Sequence, residues 1–163
     1  ISRHTGGVCL YIKYNWQAKI TECTSIGIMI WWLNLEIKNM KRKYKLVGVY
    51  RSPDKQKTPE PVFIDFLDVE MDKIDKHDNY LIMGDLNIDW LENSAHKYKL
   101  QEIINDNFFK QIVTQPTRIT STTSTLIDYV VSNIEDTTAT TNIKLKISDH
   151  ESIEILIPVP HKI

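Results

Sequence analysis

The stretch that decides the fold runs Leu81-Ile82-Met83-Gly84-Asp85-Leu86-Asn87-Ile88-Asp89-Trp90. The apolar run at residues 80–83 has the length and composition of a strand buried on both faces, and polar side chains begin directly after Gly84. Side chains two apart in an extended segment point the same way, so we expect Asp85 and Asn87 to present a carboxylate and an amide to one small volume. The alternative is a turn in which these two side chains only bond to their own backbone.

The composition is that of one ordinary folded domain. The chain has 163 residues, of which 42% are hydrophobic and 25% charged, and we expect a single domain over residues 1–163. The net charge of −1 gives no global attraction to nucleic acid, so any such contact must come from local clusters. Cys9 and Cys23 offer neither a zinc spacing nor a disulfide framework. No apolar stretch reaches membrane-spanning length, so no membrane partner is expected.

The first fifty residues indicate strands. Residues 8–13 alternate between apolar and polar side chains after a glycine pair, which predicts a strand following a turn. Residues 26–37 and 44–50 predict an antiparallel hairpin, whose basic tip at residues 38–45 carries five lysines and arginines. These cations could contact a phosphate backbone, and a solvated hairpin tip would have the same composition.

The middle of the chain changes to helical spacing. Residues 62–74 place their apolar side chains on one face, which predicts a surface helix packed on a sheet: Phe63, Phe66, Leu67, Met71 and Ile74. A second helix is predicted at residues 95–105, with Leu100, Ile103 and Ile104 as its buried stripe. Further strands or short extended segments are predicted at residues 108–113, 126–131, 140–147 and 152–159, with an exposed serine/threonine loop at residues 120–125. Strands alternating with helices favour a layered α/β arrangement.

Polar residues interrupt three of these strands near their ends. They are Asp85 with Asn87, then Asp128, and finally Asp149 with His150. A shared sheet edge would bring them together, although a lone histidine is more often structural. Carboxylates, an amide and a histidine without a serine or cysteine nucleophile point to hydrolysis by an activated water. With hard oxygen ligands, the metal would be Mg²⁺ or Mn²⁺.

These motifs resemble the endonuclease/exonuclease/phosphatase superfamily, whose members share the DNase I-like fold. The resemblance is carried, in this order, by Val49-Tyr50-Arg51-Ser52-Pro53, Gly84-Asp85-Leu86-Asn87, Ile127-Asp128-Tyr129 and Ser148-Asp149-His150. Gly6-Gly7-Val8 and Gln115-Pro116-Thr117-Arg118 are similar to the branch found in non-LTR (LINE-type) retrotransposons. The resemblance implies a four-layer α/β/β/α sandwich.

The resemblance also implies roles for individual residues. Asp85 would orient and deprotonate the attacking water, and Asn87 would hold that water and the scissile phosphate. His150 would bind or protonate the phosphate, while Asp128 would bond the other ring nitrogen and fix its tautomer. Asp149 would belong to the ligand sphere of the metal, directly or through water.

Two further residues are expected to contact the substrate. Tyr50 would contact the phosphate, and Arg51 would reach the DNA backbone as a charge-assisted donor. The serine/threonine loop before Asp128 would probe the DNA groove.

One part of the family pattern has no match in this chain. Members of the superfamily carry an Asn and a metal-binding Glu on strands that precede the Gly-Gly-Val segment, and this sequence begins at that segment. Glu22, expected in a polar connection, and Glu36, expected inside a hairpin strand, do not match the motif. We therefore expect an N-terminally truncated domain with weakened metal binding and a sheet edge left open.

The resulting hypothesis is a metal-dependent DNA-nicking endonuclease domain of a non-LTR retrotransposon. A nuclear location and a reverse transcriptase in the same polyprotein are implied by the resemblance alone. Two alternatives stay open: a phosphatase or lipid phosphodiesterase of the same superfamily, and a non-catalytic remnant or binding module that kept the fold.

Overall fold

The computed structural model describes residues 8–14, 17–25, 28–37, 42–142 and 148–158, with side chains at residues 8–14, 44–142 and 148–158. Its main feature is a six-stranded mixed sheet. In chain order the strands are β1 Gln17–Ser25, β2 Ile28–Ile37, β3 Arg42–Arg51, β4 Asn79–Asp85, β5 Lys110–Gln111 and β8 Asp128–Ser132, and in the sheet they lie in the order β1-β2-β3-β4-β8-β5.

The antiparallel hairpin predicted from the first apolar runs is confirmed. Strand β2 pairs with β3 from Ile28 opposite Arg51 to Ile37 opposite Arg42, and part of the basic tip, residues 38–41, lies outside the described residues. Strand β1 was not predicted; it pairs antiparallel with β2, so Glu22 lies in a strand rather than in a connection. Glu36 lies in β2, as expected.

The strand predicted at residues 8–13 is wrong. These residues have no regular secondary structure, and Tyr11 is 94% exposed. Alternating side chains stabilise a strand only where a neighbouring strand supplies hydrogen bonds and one face is covered. Among the described residues, none pairs with this segment.

Two helices cover one face of the sheet. Helix α1, Glu60–Asp72, connects β3 to the parallel strand β4, and helix α2, Ala95–Asp106, follows β4. Ser94 caps α2, since its Oγ accepts a hydrogen bond from Lys97 N–H at 3.2 Å. Both predicted helices are confirmed, and the predicted stripe of α2 is buried. Among the described residues, neither helix has the length and hydrophobicity to cross a membrane.

The central strands place alternate side chains on opposite faces. An apolar space lies between the sheet and the helix residues Leu67, Met71 and Ile104. The sheet residues that line it include Val49, Ile82, Gly84, Tyr129 and Val131. Because side chains alternate along a strand, Asp85 and Asp128 lie on the opposite face.

Two short ribbons complete the described structure. Strands β6 Arg118–Ile119 and β7 Ser124–Thr125 pair at the base of the predicted serine/threonine loop. Strands β9 Thr138–Asn142 and β10 Ser152–Leu156 also pair antiparallel, and their residues Ala139, Ile153 and Ile155 pack against the core. Residues 143–147 of one predicted strand lie outside the described residues. The helices, the large sheet and the β9–β10 ribbon form an α/β layered architecture, as predicted.

Candidate active site

Strand register places three of the predicted site residues in a row. Tyr50 on β3 pairs with Asp85 on the parallel strand β4, and Asp85 pairs directly with Asp128 on the antiparallel strand β8. Paired residues of neighbouring strands point to the same face of a sheet. The row Tyr50, Asp85 and Asp128 therefore crosses three adjacent strands on the face away from the helices.

Gly84 permits this close pairing. Its φ is +148°, and a Cβ at this position would lie 1.7 Å from the backbone oxygen of Val49 on β3. Any side chain would clash with backbone, which cannot move as a flexible side chain can. Glycine is therefore required beside Asp85 for both its conformation and its lack of a side chain.

The sequence allowed two interpretations of Asp85 and Asn87: a shared site, or a turn in which both side chains bond to backbone. The turn after β4 has features of both. Asn87 N–H donates to Asp85 Oδ1 at 2.9 Å, and the φ of Asn87 is +50°. The Asn87 side-chain amide donates to the backbone oxygen of Arg51 at 2.8 Å. Asp85 is thus held by a local turn, and the same turn keeps Asn87 beside its carboxylate.

Arg51 differs from the expectation of a DNA-contacting residue. Its side chain is fully buried, and its Nε donates to Leu86 O at 2.6 Å. Its Nη1 donates to Thr58 O at 2.8 Å, and its Nη2 donates to Asn87 O at 2.6 Å. Burial lowers the pKa of the guanidinium, an effect that the nearby carboxylate of Glu60 opposes. Arg51 is therefore a clamp on the turn that carries Asp85 and Asn87, and it has no exposed edge for DNA.

His150 contacts Asp128 on the face of the sheet away from the helices. The His150 Nδ1 and the Asp128 Oδ2 lie 2.8 Å apart. A short bridge to Arg118 holds His150 in place: Ile119 N–H donates to Asp149 O at 2.9 Å, and Glu151 N–H donates to Thr117 O at 2.7 Å. Two segments that are distant in sequence thus fix the imidazole against the carboxylate.

Thr117 organises this junction, and sequence reasoning did not assign it a role. It is fully buried, and its Oγ1 accepts hydrogen bonds from Ile127 N–H at 3.2 Å and Asp128 N–H at 3.0 Å. Its backbone oxygen also holds Glu151. The motif Gln115-Pro116-Thr117-Arg118 is the sequence signal for this junction, but as a sequence it indicates only a family resemblance.

Asp149 lies apart from the carboxylate pair. Its Oδ2 accepts a hydrogen bond from Arg118 Nε at 2.7 Å, and the Arg118 guanidinium lowers the pKa of the Asp149 carboxyl. The group of possible metal ligands in the described residues is instead Asp85, Asp128 and His150, whose ligand atoms all lie within 4.8 Å of one another. The structure thus joins Asp149 to Arg118 and does not place it in this group, so a metal role for Asp149, directly or through water, stays a prediction.

The site has unusual electrostatics. Burial and then the neighbouring charge of Asp128 raise the pKa of Asp85 to about 6, although hydrogen bonds from Asn87 and the charge of His150 act in the opposite direction. Burial and the charge of Asp85 likewise raise the pKa of Tyr50, which keeps its hydroxyl protonated. Two close carboxylates are the hard oxygen ligands that Mg²⁺ and Mn²⁺ prefer, so the residues present suit a divalent cation.

The comparisons with known proteins agree with this geometry. No family model and no curated protein sequence matches this chain. Among solved structures, the endonuclease domain of TRAS1, a telomere-specific non-LTR retrotransposon, matches 87% of this chain and 68% of its own length with a TM-score of 0.68 and 16% identity. The chain has the DNase I-like fold. The structural resemblance predicted from its motifs, including that to a non-LTR endonuclease, is confirmed.

Two further solved structures also match this chain. An endonuclease/exonuclease/phosphatase family protein from Leptotrichia buccalis matches 88% of this chain and 60% of its own, with a TM-score of 0.58 and 16% identity. TDP2 from D. rerio, complexed with a single-strand DNA product, matches 84% of this chain and 65% of its own, with a TM-score of 0.59 and 11% identity. The chain thus spans between three fifths and about two thirds of these structures.

Proposed function

We propose that this chain is a metal-dependent DNA-nicking phosphodiesterase domain of the non-LTR retrotransposon kind. The observation that carries the proposal is the row of Tyr50, Asp85 and Asp128 on adjacent strands, closed by His150 against Asp128. The likeness to the TRAS1 endonuclease domain supports DNA as the substrate. A reverse transcriptase partner and a nuclear location belong to the same proposal.

Asp85 is suited to activate the attacking water. Without a bound cation, its pKa of about 6 leaves the carboxylate largely ionised at neutral pH. A carboxylate oxygen not engaged by a cation could accept a proton as the water oxygen bonds to phosphorus. The Asn87 N–H on Oδ1 fixes the orientation of the carboxylate. Asn87 lies beside the carboxylate and would steady the water and the phosphate.

His150 and Asp128 act together on the phosphate. With Nδ1 engaged by Asp128, the ring keeps one orientation, and Nε2 is the nitrogen left for a phosphate oxygen or the leaving oxygen. Tyr50 would donate its hydroxyl proton in a hydrogen bond to the same phosphate, because its raised pKa keeps it neutral.

Asp85 and Asp128 are the residues that would hold a divalent cation, with Mg²⁺ or Mn²⁺ as the candidates. When bound, the ion would offset the negative charge that develops on the phosphate. The cation would also relieve the repulsion between the two carboxylates.

A plasmid-nicking assay tests the proposal. The chain is incubated with supercoiled plasmid in Mg²⁺ or Mn²⁺, and a parallel sample contains EDTA. We expect open-circle product that EDTA abolishes. A folded chain that makes no open circle in either metal would contradict the proposal and favour a non-catalytic module.

A phosphatase of the same fold is the second candidate. A mannosyl-6-phosphatase from Bacteroides thetaiotaomicron matches 80% of this chain, with a TM-score of 0.55 and 12% identity. Release of phosphate from p-nitrophenyl phosphate, measured under the same metal conditions, separates the two. Phosphate release without nicking would favour the phosphatase.

A further inference from the structure

Arg118 lies between the serine/threonine hairpin and His150. On one side it pairs with Thr125 of β7, and on the other it bridges antiparallel to His150. The hydrogen bonds around this bridge run from Ile119 N–H to Asp149 O and from Glu151 N–H to Thr117 O. Arg118 and His150 therefore form a non-hydrogen-bonded pair, the arrangement in which facing side chains approach each other most closely.

The side chain of Arg118 is oriented yet accessible. Its Nε donates to Asp149 Oδ2 at 2.7 Å, and the two side chains are 43% and 41% exposed. A guanidinium has five N–H donors, and this contact uses only Nε–H. Among the residues that the structure describes, Nη1 and Nη2 have no hydrogen-bond partner, so their donors can face a ligand.

Beyond the divalent cation proposed at Asp85 and Asp128, a positively charged side chain would offset the charge of a neighbouring DNA phosphate. Asp85 and Asp128 are both acidic, and a DNA backbone adds further negative charge. Arg51, the cation first expected to contact DNA, is buried on the helix side and bonded to three backbone oxygens. Arg118 has the charge, the exposure and the position beside His150 that Arg51 lacks.

We propose that Arg118 binds a backbone phosphate of the DNA next to the one that meets His150, with Asp149 as its positioning residue. A guanidinium matches phosphate geometry through paired N–H donors. Asp149 engages Nε–H, which leaves the end-on pair of N–H donors, one on each Nη, for the phosphate. This inference rests on the proposed function, because it takes DNA as the ligand.

The test measures binding of a fluorescein-labelled 20-base-pair duplex by anisotropy between 50 and 200 mM NaCl, in EDTA to prevent cutting. We expect Arg118→Gln to bind about tenfold more weakly at the lowest salt and to lower the slope of log Kd against log salt by about one. Lys99→Gln is the matched control, because it removes the same charge from the exposed surface of α2. Equal salt slopes for Arg118→Gln and Lys99→Gln would overturn the proposal.

Arg118→Lys gives a second variant that keeps the charge. Lysine cannot reproduce the planar fork or the Nε contact, so we expect its affinity to lie between those of the wild type and Arg118→Gln. Circular dichroism confirms that each variant is folded. If Arg118→Gln does not fold, wild-type affinity and slope in Arg118→Lys would overturn the bidentate contact.

The positioning role of Asp149 has its own comparison. Asp149→Asn and Asp149→Ala both remove the charge, but only Asn keeps an oxygen for Nε. We expect tighter DNA binding by the Asn variant than by the Ala variant, and no such difference when Arg118 is also changed to Gln. Equal affinities of the two single variants would overturn the positioning role.

The outcomes separate this inference from the proposed function. A wild-type chain that binds the duplex and nicks plasmid, with Arg118→Gln behaving as the Lys99→Gln control, would overturn the role of Arg118 alone. A folded wild-type chain with no measurable DNA binding at 50 mM NaCl would contradict DNA as the substrate, and the role of Arg118 with it.

Discussion

Asp85 on β4 and Asp128 on β8 are direct partners in the sheet, and both carboxylates lie on the face away from the helices. Like charges opposite each other destabilise a strand pair, and burial adds to the cost of ionising Asp85. The raised pKa of Asp85, about 6, is the result of both effects. A site that holds two such groups together gains from a bound cation, which links the geometry of the strands to the proposed chemistry.

The first prediction concerns stability and pH. The folded-state pKa of Asp85 is raised from 3.8 to about 6, so the folded state binds more protons than the unfolded state between these values. Its contribution to stability is therefore full below pH 3.8 and is lost as the pH rises through 6. The shift corresponds to a loss of about 3 kcal/mol.

Asp85→Asn removes this titration and keeps an oxygen for Asn87 N–H. We expect the free energy of unfolding of the variant to exceed that of the wild type increasingly from pH 4 to pH 7 in EDTA. Urea unfolding followed by circular dichroism measures the difference. A difference that does not change with pH would contradict the raised pKa.

The second prediction concerns Gly84. Gly84→Ala places a Cβ against the backbone oxygen of Val49 and forces alanine to a φ of +148°, so we expect a loss of at least about 3 kcal/mol in unfolding free energy. Thr140→Ala, at an exposed position of β9, is the control and should change stability by less than about 0.5 kcal/mol. Similar unfolding midpoints for the two variants would show that β3 and β4 pair differently.

The third prediction separates the clamp role of Arg51 from a DNA contact. Arg51→Met leaves the backbone oxygens of Thr58, Leu86 and Asn87 without their donor, and we expect a loss of roughly 3 kcal/mol in stability. Nicking should also slow, because the turn that carries Asp85 loses its support. The slope of log Kd against log salt should stay as in the wild type. A slope lower by about one in Arg51→Met would contradict the clamp role and support a direct contact of Arg51 with DNA.

The fourth prediction concerns Thr117. Thr117→Val keeps the shape but leaves the N–H groups of Ile127 and Asp128 without an acceptor, which should cost about 2 kcal/mol of stability. We expect kcat for nicking to fall as well, since both Asp128 and His150 depend on this junction. Thr117→Ser keeps the hydroxyl and should recover most of the activity. Equal kcat values for the Val and Ser variants would contradict the role of the hydroxyl.

Local patterns in the sequence predicted the elements that position the site. The apolar run of β4 and the helical spacing of α1 and α2 indicated their type, because each buries a face that local periodicity records. The strand ends likewise indicated Asp85, Asp128 and His150 as neighbours. Their catalytic roles stay predictions.

Features that depend on long-range pairing were not predictable in this way. Strand β1 mixes threonine with charged residues, and residues 8–13 alternate as a strand would, yet only β1 has a partner strand in the described structure. The burial of Arg51 depends on backbone oxygens 35 and 36 residues away. The Thr117 hydroxyl binds backbone N–H groups, which every residue except proline has. The side chains of its partners therefore give no sequence signal for this contact.

The measurement that tests the central claim most directly compares initial plasmid-nicking rates of the wild type, Asp85→Asn and Asp68→Asn in Mg²⁺. Both substitutions make the same chemical change, but Asp68 lies on α1, in the helix layer on the other side of the sheet. We expect Asp68→Asn to nick at the wild-type rate and Asp85→Asn to lose at least about a hundredfold. Equal loss, or wild-type rates for both, would contradict the assignment of the active site to this row of strand ends.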